Sequence, residues 1–356
     1  MKKYYFTADI LRGLSAIGVV VLHSFDSIYF RPDFFGGKSW WITHIIMAFF
    51  RTAVPIFILL SGYLNLGSEK SFSQVFTKTK KRILVPFFSF FGLYILYDLF
   101  SQRLVWNGLE TIAEIVNTFN SNTQTLLYFL IILFFLYVFT PFFNLLFKEH
   151  KDIQKKFIIG FLGLGALILI ARLTTFREDE YFYNTYNTWI SYIGYYLLGY
   201  YIKQMNVSAK QHLFTAVIFI LSFAVTIMGT YFMFLYKTDI LQYILVDNIT
   251  YFANYQSINV ILQSLTLFIL VIHSKFLLQL QRNDFFKKVV QFIAQNSFGI
   301  FLIHILVLYV LNFSIDNFIT SNILLFLIIT FSSCFLITLL LTMLIRKTPL
   351  KCILGE

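Results

Sequence analysis

Charged side chains are scarce in this chain of 356 residues. Asp, Glu, Lys and Arg make up 13% of it, whereas hydrophobic residues make up 58%. An ordinary soluble domain is about one quarter charged. So few charges cannot cover the surface of a soluble protein this large, which excludes secreted, fibrous, disordered and simple cytosolic proteins. The apolar residues form many separate runs, so the sequence predicts an all-α, polytopic membrane protein.

Cysteine is rarer still, with two residues in the chain. Cys334 lies in an apolar run and Cys352 near the C-terminus, so we expect no disulfide and no cysteine-based metal site. No His, Asp and Glu cluster has metal-ligand spacing, and no phosphate-binding G-x-x-x-x-G-K-[ST] motif is present. Asp9 and Arg12 interrupt the first apolar run, and no small-residue cleavage site follows it, which argues against a cleavable signal peptide.

Ten segments have about the 20 mainly apolar residues that a membrane-spanning helix needs. The sixth is short and rich in Tyr, and an additional segment, 239–256, is predicted to be interfacial or re-entrant. The loops are short and no internal repeat is evident, so residues 1–356 are predicted to form a single membrane domain, unlike the common secondary transporter folds. The predicted spans are 9–28, 42–65, 83–101, 125–147, 157–175, 188–203, 213–236, 257–274, 289–313 and 322–345.

The basic residues give an orientation. With the N-terminus inside and ten helices, twenty Lys and Arg residues fall in inner segments and five in outer ones. Cytoplasmic loops carry this excess in membrane proteins, so both termini are predicted to be cytoplasmic. The net charge of +11 is therefore an orientation signal and a cytoplasmic surface, not a sign of nucleic-acid binding.

The first predicted helix carries Arg12 and His23. They are eleven residues apart, about 16 Å along a helix and close to three full turns, so both point to one face. Ionisable groups inside a membrane are costly and are functional candidates by default. Arg12 alone fits a residue that snorkels to the cytoplasmic interface, and His23 alone fits an interhelical hydrogen bond. Together on one face, as a deep lone histidine above an arginine, they favour a catalytic role.

Four further places carry polar groups. Arg51 is a charge within the second helix and needs a partner, while Ser61 and Gly62 lie near its inner end after Pro55. A nucleophilic Ser61 is a weak interpretation because no G-x-S-x-G motif surrounds it, and helix packing is the alternative. The third helix opens with basic residues that fit either topology or phosphate binding. The ninth helix places His304 near mid-membrane. These last two helices contribute Lys81, Arg82, Ser297 and His304.

The order of these residues resembles that of the acyltransferase 3 family of membrane acyltransferases. Arg12 and His23 match the family's Arg/Lys, ten residues, His pattern. The remaining matches follow in family order over about residues 5–345, and where many relatives have another Arg just after the position of Arg82, this chain has Val85. The matching segments are Pro55-Ile-Phe57, Ser61-Gly62-Tyr63, Arg82, Pro86, Tyr128-Phe129, Tyr137, Pro141, Leu198-Gly199-Tyr200 and Ser297-Phe-Gly299-Ile-Phe-Leu-Ile-His304.

The resemblance implies a ten-helix enzyme in the cell membrane, of bacterial type. It implies transfer of an acyl group, usually acetyl, from cytoplasmic acyl-CoA to a hydroxyl of a cell-surface glycan or its lipid-linked precursor. Acyl-CoA is then a donor substrate, with no resident cofactor and no metal, and the partners are donor, glycan acceptor and membrane lipid.

The chemistry of acyl transfer assigns provisional roles. It needs a base for the acceptor hydroxyl and stabilisation of charge at the thioester carbonyl. His23 is the expected base and Arg12 the expected charge stabiliser or phosphate ligand. The donor side is assigned to Arg82, Lys81 and Ser61, and the possible lining residues are Arg51, Ser297 and His304.

Two readings from other classes remain open. A transporter or exporter of a glycan or lipid-linked sugar would use Arg12 and His23 as substrate contacts or a proton relay. A non-catalytic subunit of a glycan synthase would use neither for chemistry. Cleavage of a thioester by the purified protein separates the enzyme from both.

Overall fold

The computed structural model is mainly helical in the residues it describes, which are 5–29, 32–68, 70–101, 106–111, 127–150, 153–174, 188–236, 251–311 and 323–356. No strand occurs in these ranges. The α-helices, numbered α1 to α14 in chain order, are Phe6–Tyr29, Lys38–Phe50, Ala53–Asn65, Phe72–Thr79, Val85–Phe100, Leu127–Val138, Thr140–Glu149, Gln154–Thr174, Ile193–Lys203, Ala209–Tyr236, Ile258–Ile272, Lys275–Leu280, Asp284–Val310 and Ile323–Arg346.

The all-α, polytopic prediction is confirmed. In the described residues, seven helical segments are long and apolar enough to cross a membrane, and an eighth is added if the bent pair α6–α7 counts as one span. The total of ten spans and the cytoplasmic placement of both termini stay predictions. Residues 239–250 of the predicted interfacial segment 239–256 lie outside the described residues. The remainder of the segment begins with a 3-10 turn at Tyr251–Ala253.

Several predicted boundaries were wrong. The second span begins at Lys38 rather than residue 42 and is interrupted between α2 and α3. The third begins at Phe72 rather than residue 83, because α4, the turn Lys80–Leu84 and α5 form one continuous span. The sixth is a 3-10 turn, Thr188–Tyr192, followed by the eleven-residue α9.

Proline explains the helix irregularities. Pro lacks the backbone N–H that would donate to the carbonyl four residues earlier. Pro55 follows Arg51 by four residues at the α2–α3 interruption, and Pro86 follows Arg82 at a π-helical turn. In the same way Pro141 follows Tyr137, where α6 and α7 bend by 42°.

The centre of the bundle is α1, which packs against α2, α3, α11, α13 and α14. Gly13 of α1 lies against Ile293 of α13, where a Cβ would come within 3.2 Å of that side chain. Ten or eleven residues further along both helices, His23 lies beside His304. The two helices therefore run in the same direction, and α13 accompanies α1 through the bundle.

The closest helix contact joins α3 and α9. A Cβ on Gly62 would overlap the backbone carbonyl of Tyr196, and one on Gly199 would overlap the carbonyl of Leu59. Small residues let membrane helices approach backbone to backbone. Gly62 therefore has the packing role that was predicted for the Ser61-Gly62 pair.

Candidate functional site

The structure brings His23 and Asp26 together on α1. His23 Nδ1 lies 3.3 Å from Asp26 Oδ2, and the two side chains are 26% and 38% exposed. A carboxylate next to Nδ1 favours the tautomer in which Nδ1 carries the hydrogen, which leaves the Nε2 lone pair available as a base. This pair has the geometry of an oriented general base.

His304 lies against the same imidazole. The ring centroids of His23 and His304 are 5.4 Å apart, with planes inclined by 41°. His304 is fully buried, and its Nδ1 lies 2.7 Å from the carbonyl oxygen of Phe301. Its Nε2 has no hydrogen-bond partner within the described part of the chain. His304 was predicted as a possible lining residue of the site, and α13 places it against His23.

Arg51 extends the cluster from the α2–α3 interruption. Its guanidinium donates a hydrogen bond to the Tyr255 hydroxyl, and its charge acts on Tyr29 and Asp26. The predicted need for a partner is met by the phenol of Tyr255 and by the nearby carboxylate of Asp26. Arg51 therefore lies in the same polar region as Asp26, which contacts His23, and His23 in turn lies against His304.

Arg12 lies on the same unbroken helix as His23, but closer to its N-terminal end. Its Nη1 donates to Asp9 Oδ1 at 2.9 Å, and the Arg12 side chain remains 34% exposed. A partly exposed ion pair at spacing i, i+3 leaves further guanidinium donors for a ligand. Among the described residues, no hydrogen bond or ion pair joins Arg12 to His23, Asp26 or His304.

Ser61 is engaged by Tyr137, whose hydroxyl donates to Ser61 Oγ at 3.2 Å. No histidine in the described residues hydrogen-bonds Ser61, so it lacks the base that a serine nucleophile requires. Tyr137 also lines a small open pocket at this end of the bundle, together with the amide, hydroxyl and ammonium groups of Asn65, Ser68, Lys70, Lys78, Thr79 and Thr140. Ser61 therefore lies next to a pocket lined by polar and positively charged side chains.

Lys81 and Arg82 lie in the π-helical turn, and both side chains are exposed. π-helical turns inside α-helices are frequent at functional sites. The pocket described above is lined by Lys78 and Thr79, which immediately precede this turn. Lys81 and Arg82 therefore follow closely after two residues that line the pocket beside Ser61.

Ser297 does not join the cluster. Its hydroxyl is buried and donates to the carbonyl of Ala294 at 2.8 Å, a bond within its own helix. Its neighbour Asn296 accepts from Arg346 Nη1 at 3.0 Å. The bond between Arg346 and Asn296 connects α13 to the C-terminal end of α14.

Sequence reasoning missed Asp26 and Tyr255. Asp26 was detectable, since His and Asp three residues apart on a helix share a face. Tyr255 had no local signal, because only the tertiary fold brings it to Arg51. In the described residues, no group of three or more His, Cys, Asp or Glu side chains could hold a metal ion.

The fold and the site together define a class: polytopic helical membrane proteins in which a partly exposed His–Asp pair lies against a buried histidine. The chain belongs to the acyltransferase 3 family: the sequence model of that family, described as an acyltransferase domain, matches residues 6–343. That range includes every site residue predicted above. No curated protein sequence and no solved structure matches the chain.

Proposed function

We propose that the protein transfers an acyl group, most simply acetyl, from cytoplasmic acyl-CoA to a hydroxyl of a cell-surface glycan or its lipid-linked precursor. The observation that carries the proposal is the His23–Asp26 pair against His304, inside a chain of an acyltransferase family. The proposed setting is the cell membrane of a bacterium, with donor entry from the cytoplasm.

The pair supports direct transfer. His23 Nε2 takes the proton of the acceptor hydroxyl as its oxygen attacks the thioester carbonyl. When the carbon–sulfur bond breaks, the imidazolium returns that proton to the departing CoA thiolate. Asp26 holds the His23 ring and stabilises its positive charge, as carboxylates do for a general-base histidine.

The arginines supply the donor side. Acyl-CoA carries phosphate groups that cannot enter the bilayer, and Arg holds phosphate through two parallel hydrogen bonds. Arg82 and Lys81, exposed on the π-helical turn, fit this role. Arg12 has donors left beside Asp9 and either binds the donor or offsets the charge that develops on the carbonyl oxygen.

Family membership favours an enzyme over a transporter or a non-catalytic subunit. The test is release of free CoA thiol from acetyl-CoA by purified protein in nanodiscs, together with mass spectrometry of surface glycans from cells with and without it. His23→Gln should abolish turnover, and Arg12→Ala should lower both turnover and donor affinity. His150→Gln, at an exposed position beyond α7, is the matched control. Normal thiol release by His23→Gln refutes the assignment of the base.

A further inference from the structure

The segment 349–356 packs against the turn that carries Arg82. It forms a 3-10 helix, Pro349–Leu354, capped by the Thr348 hydroxyl, which accepts from the Leu350 N–H. This helix contacts α5, α13 and α14. Leu354 is buried in the main hydrophobic core. The family match ends at residue 343, so the segment lies outside the matched range, whereas the turn that it contacts lies within it.

Gly355 makes the decisive contact. Its φ is +74°, in the left-handed region that disfavours other residues, and a Cβ there would lie 2.9 Å from the backbone oxygen of Arg82. Pro86 leaves this same oxygen without its α-helical donor. The carbonyl that the π-helical turn exposes is therefore covered by a backbone that only glycine lets approach so closely.

An ion pair holds the segment in place. Glu356 Oε1 lies 2.8 Å from Arg346 Nε, and Arg346 Nη1 donates to Asn296 Oδ1 at 3.0 Å. Both Arg346 and Asn296 belong to helices that pack directly on one another. These contacts attach the end of the segment to α13 and α14, so the segment is held at a second place besides the turn.

We propose that residues 349–356 are a positioning segment for donor binding, which holds the backbone of the π-helical turn so that Arg82 and Lys81 present their charges to the phosphates of acyl-CoA. This deepens the proposed function and depends on its donor assignment. The segment itself touches no substrate. It fixes the turn from behind, since Gly355 packs on the Arg82 backbone while the Arg82 side chain stays exposed.

The test measures KM for acetyl-CoA and kcat in nanodiscs. Gly355→Ala should raise the donor KM about threefold or more and leave kcat within about twofold, because the turn shifts while the His23 cluster does not. Gly36→Ala is the matched control: Gly36 has the same φ of +74°, but nothing lies within 4 Å of the added Cβ. It carries the same backbone strain without the contact, so its KM should not change.

A second pair of variants keeps the test decisive if Gly355→Ala does not fold. Glu356→Gln should raise the donor KM, Glu356→Asp should restore most of it, and Glu149→Gln, an exposed carboxylate at the end of α7, should have no effect. Arg82→Ala should raise KM more, by about tenfold, because it removes charge-assisted hydrogen bonds themselves.

The outcomes separate the two proposals. A raised KM in Arg82→Ala with wild-type KM in both Gly355→Ala and Glu356→Gln overturns the positioning role alone. A wild-type KM in Arg82→Ala overturns the donor assignment, and the positioning role with it. An equal rise in Gly36→Ala and Gly355→Ala assigns the effect to strain and also overturns the positioning role.

Discussion

Replacing Asp26 by Asn tests how far the carboxylate contributes to the base. Asn keeps the size of the side chain and removes its charge. In the native protein Asp26 Oδ2 faces His23 Nδ1 at 3.3 Å, so its charge favours both the base tautomer and the imidazolium that forms in the reaction. In the variant the amide can present either its oxygen or its NH2 group to His23, and the second choice selects the wrong tautomer.

The geometry sets the size of the effect. A hydrogen bond to a charged group contributes about 1.5–3 kcal/mol. The 3.3 Å separation is beyond the usual range for N–H···O bonds, and the side chains are 26% and 38% exposed, so solvent screens the pair. We therefore expect about 1.5 kcal/mol, or a kcat roughly tenfold lower. Loss of the base in His23→Gln should cost more, about 10²–10⁴ in rate.

The assay is single-turnover thiol release at saturating acetyl-CoA, which reports chemistry rather than donor binding. Asp33→Asn removes an exposed carboxylate from the turn after α1 and is the matched control. Wild-type rates in Asp26→Asn would show that the pair has no catalytic part. A loss as large as that of His23→Gln would show that Asp26 takes part directly, contrary to an orienting role.

Three more outcomes are expected. Gly62→Ala should lower the unfolding free energy in detergent by about 3 kcal/mol because the new Cβ meets a rigid backbone, whereas Gly92→Ala, with open space around it, should stabilise α5 slightly; equal melting temperatures would contradict this. In a variant without Cys334 and Cys352, single cysteines at 80 and 153 should resist an impermeant thiol reagent in intact cells while one at 178 reacts, and the reverse pattern would overturn the predicted topology. Pro86→Ala should restore the helical donor to Arg82, convert the π-helical turn towards α-helix and raise the donor KM without lowering stability; an unchanged KM would show that the turn does not orient the basic residues.

Composition was enough for the class of fold, and the apolar pattern was enough to place Arg12 and His23 on one helix. Both residues lie on one uninterrupted helix, because its pattern is local and nothing tertiary competes with it. The neighbours of His23 include one that a local sequence pattern predicts and one that it does not. Asp26 follows from helical spacing, but His304 is 281 residues away in the sequence, and no local pattern tells which helix packs on α1.

The predicted helix boundaries were wrong for a related reason. Hydropathy locates the apolar centre of a span, but polar turns such as Phe72–Thr79 extend a helix beyond it. A capping box at Ser71 and Gln74, which satisfies the first backbone N–H groups, marks the true start. The capping box is visible in the sequence. The basic residues just before residue 83 fit the start of a span equally well, however, and the prediction began the span there.

The irregular helices and the candidate site have a common origin. Helical backbone in a bilayer must satisfy its own hydrogen bonds, so a proline within a span is tolerated only where the protein compensates. Here each of the three in-span prolines comes four residues after a polar side chain that the proposed reaction uses or adjoins. At each proline the backbone departs from a regular α-helix. The side chain four residues earlier therefore projects in a direction that a straight helix would not give. Arg51 at the His23 cluster, Arg82 on the π-helical turn and Tyr137 beside the polar pocket are the three side chains placed in this way.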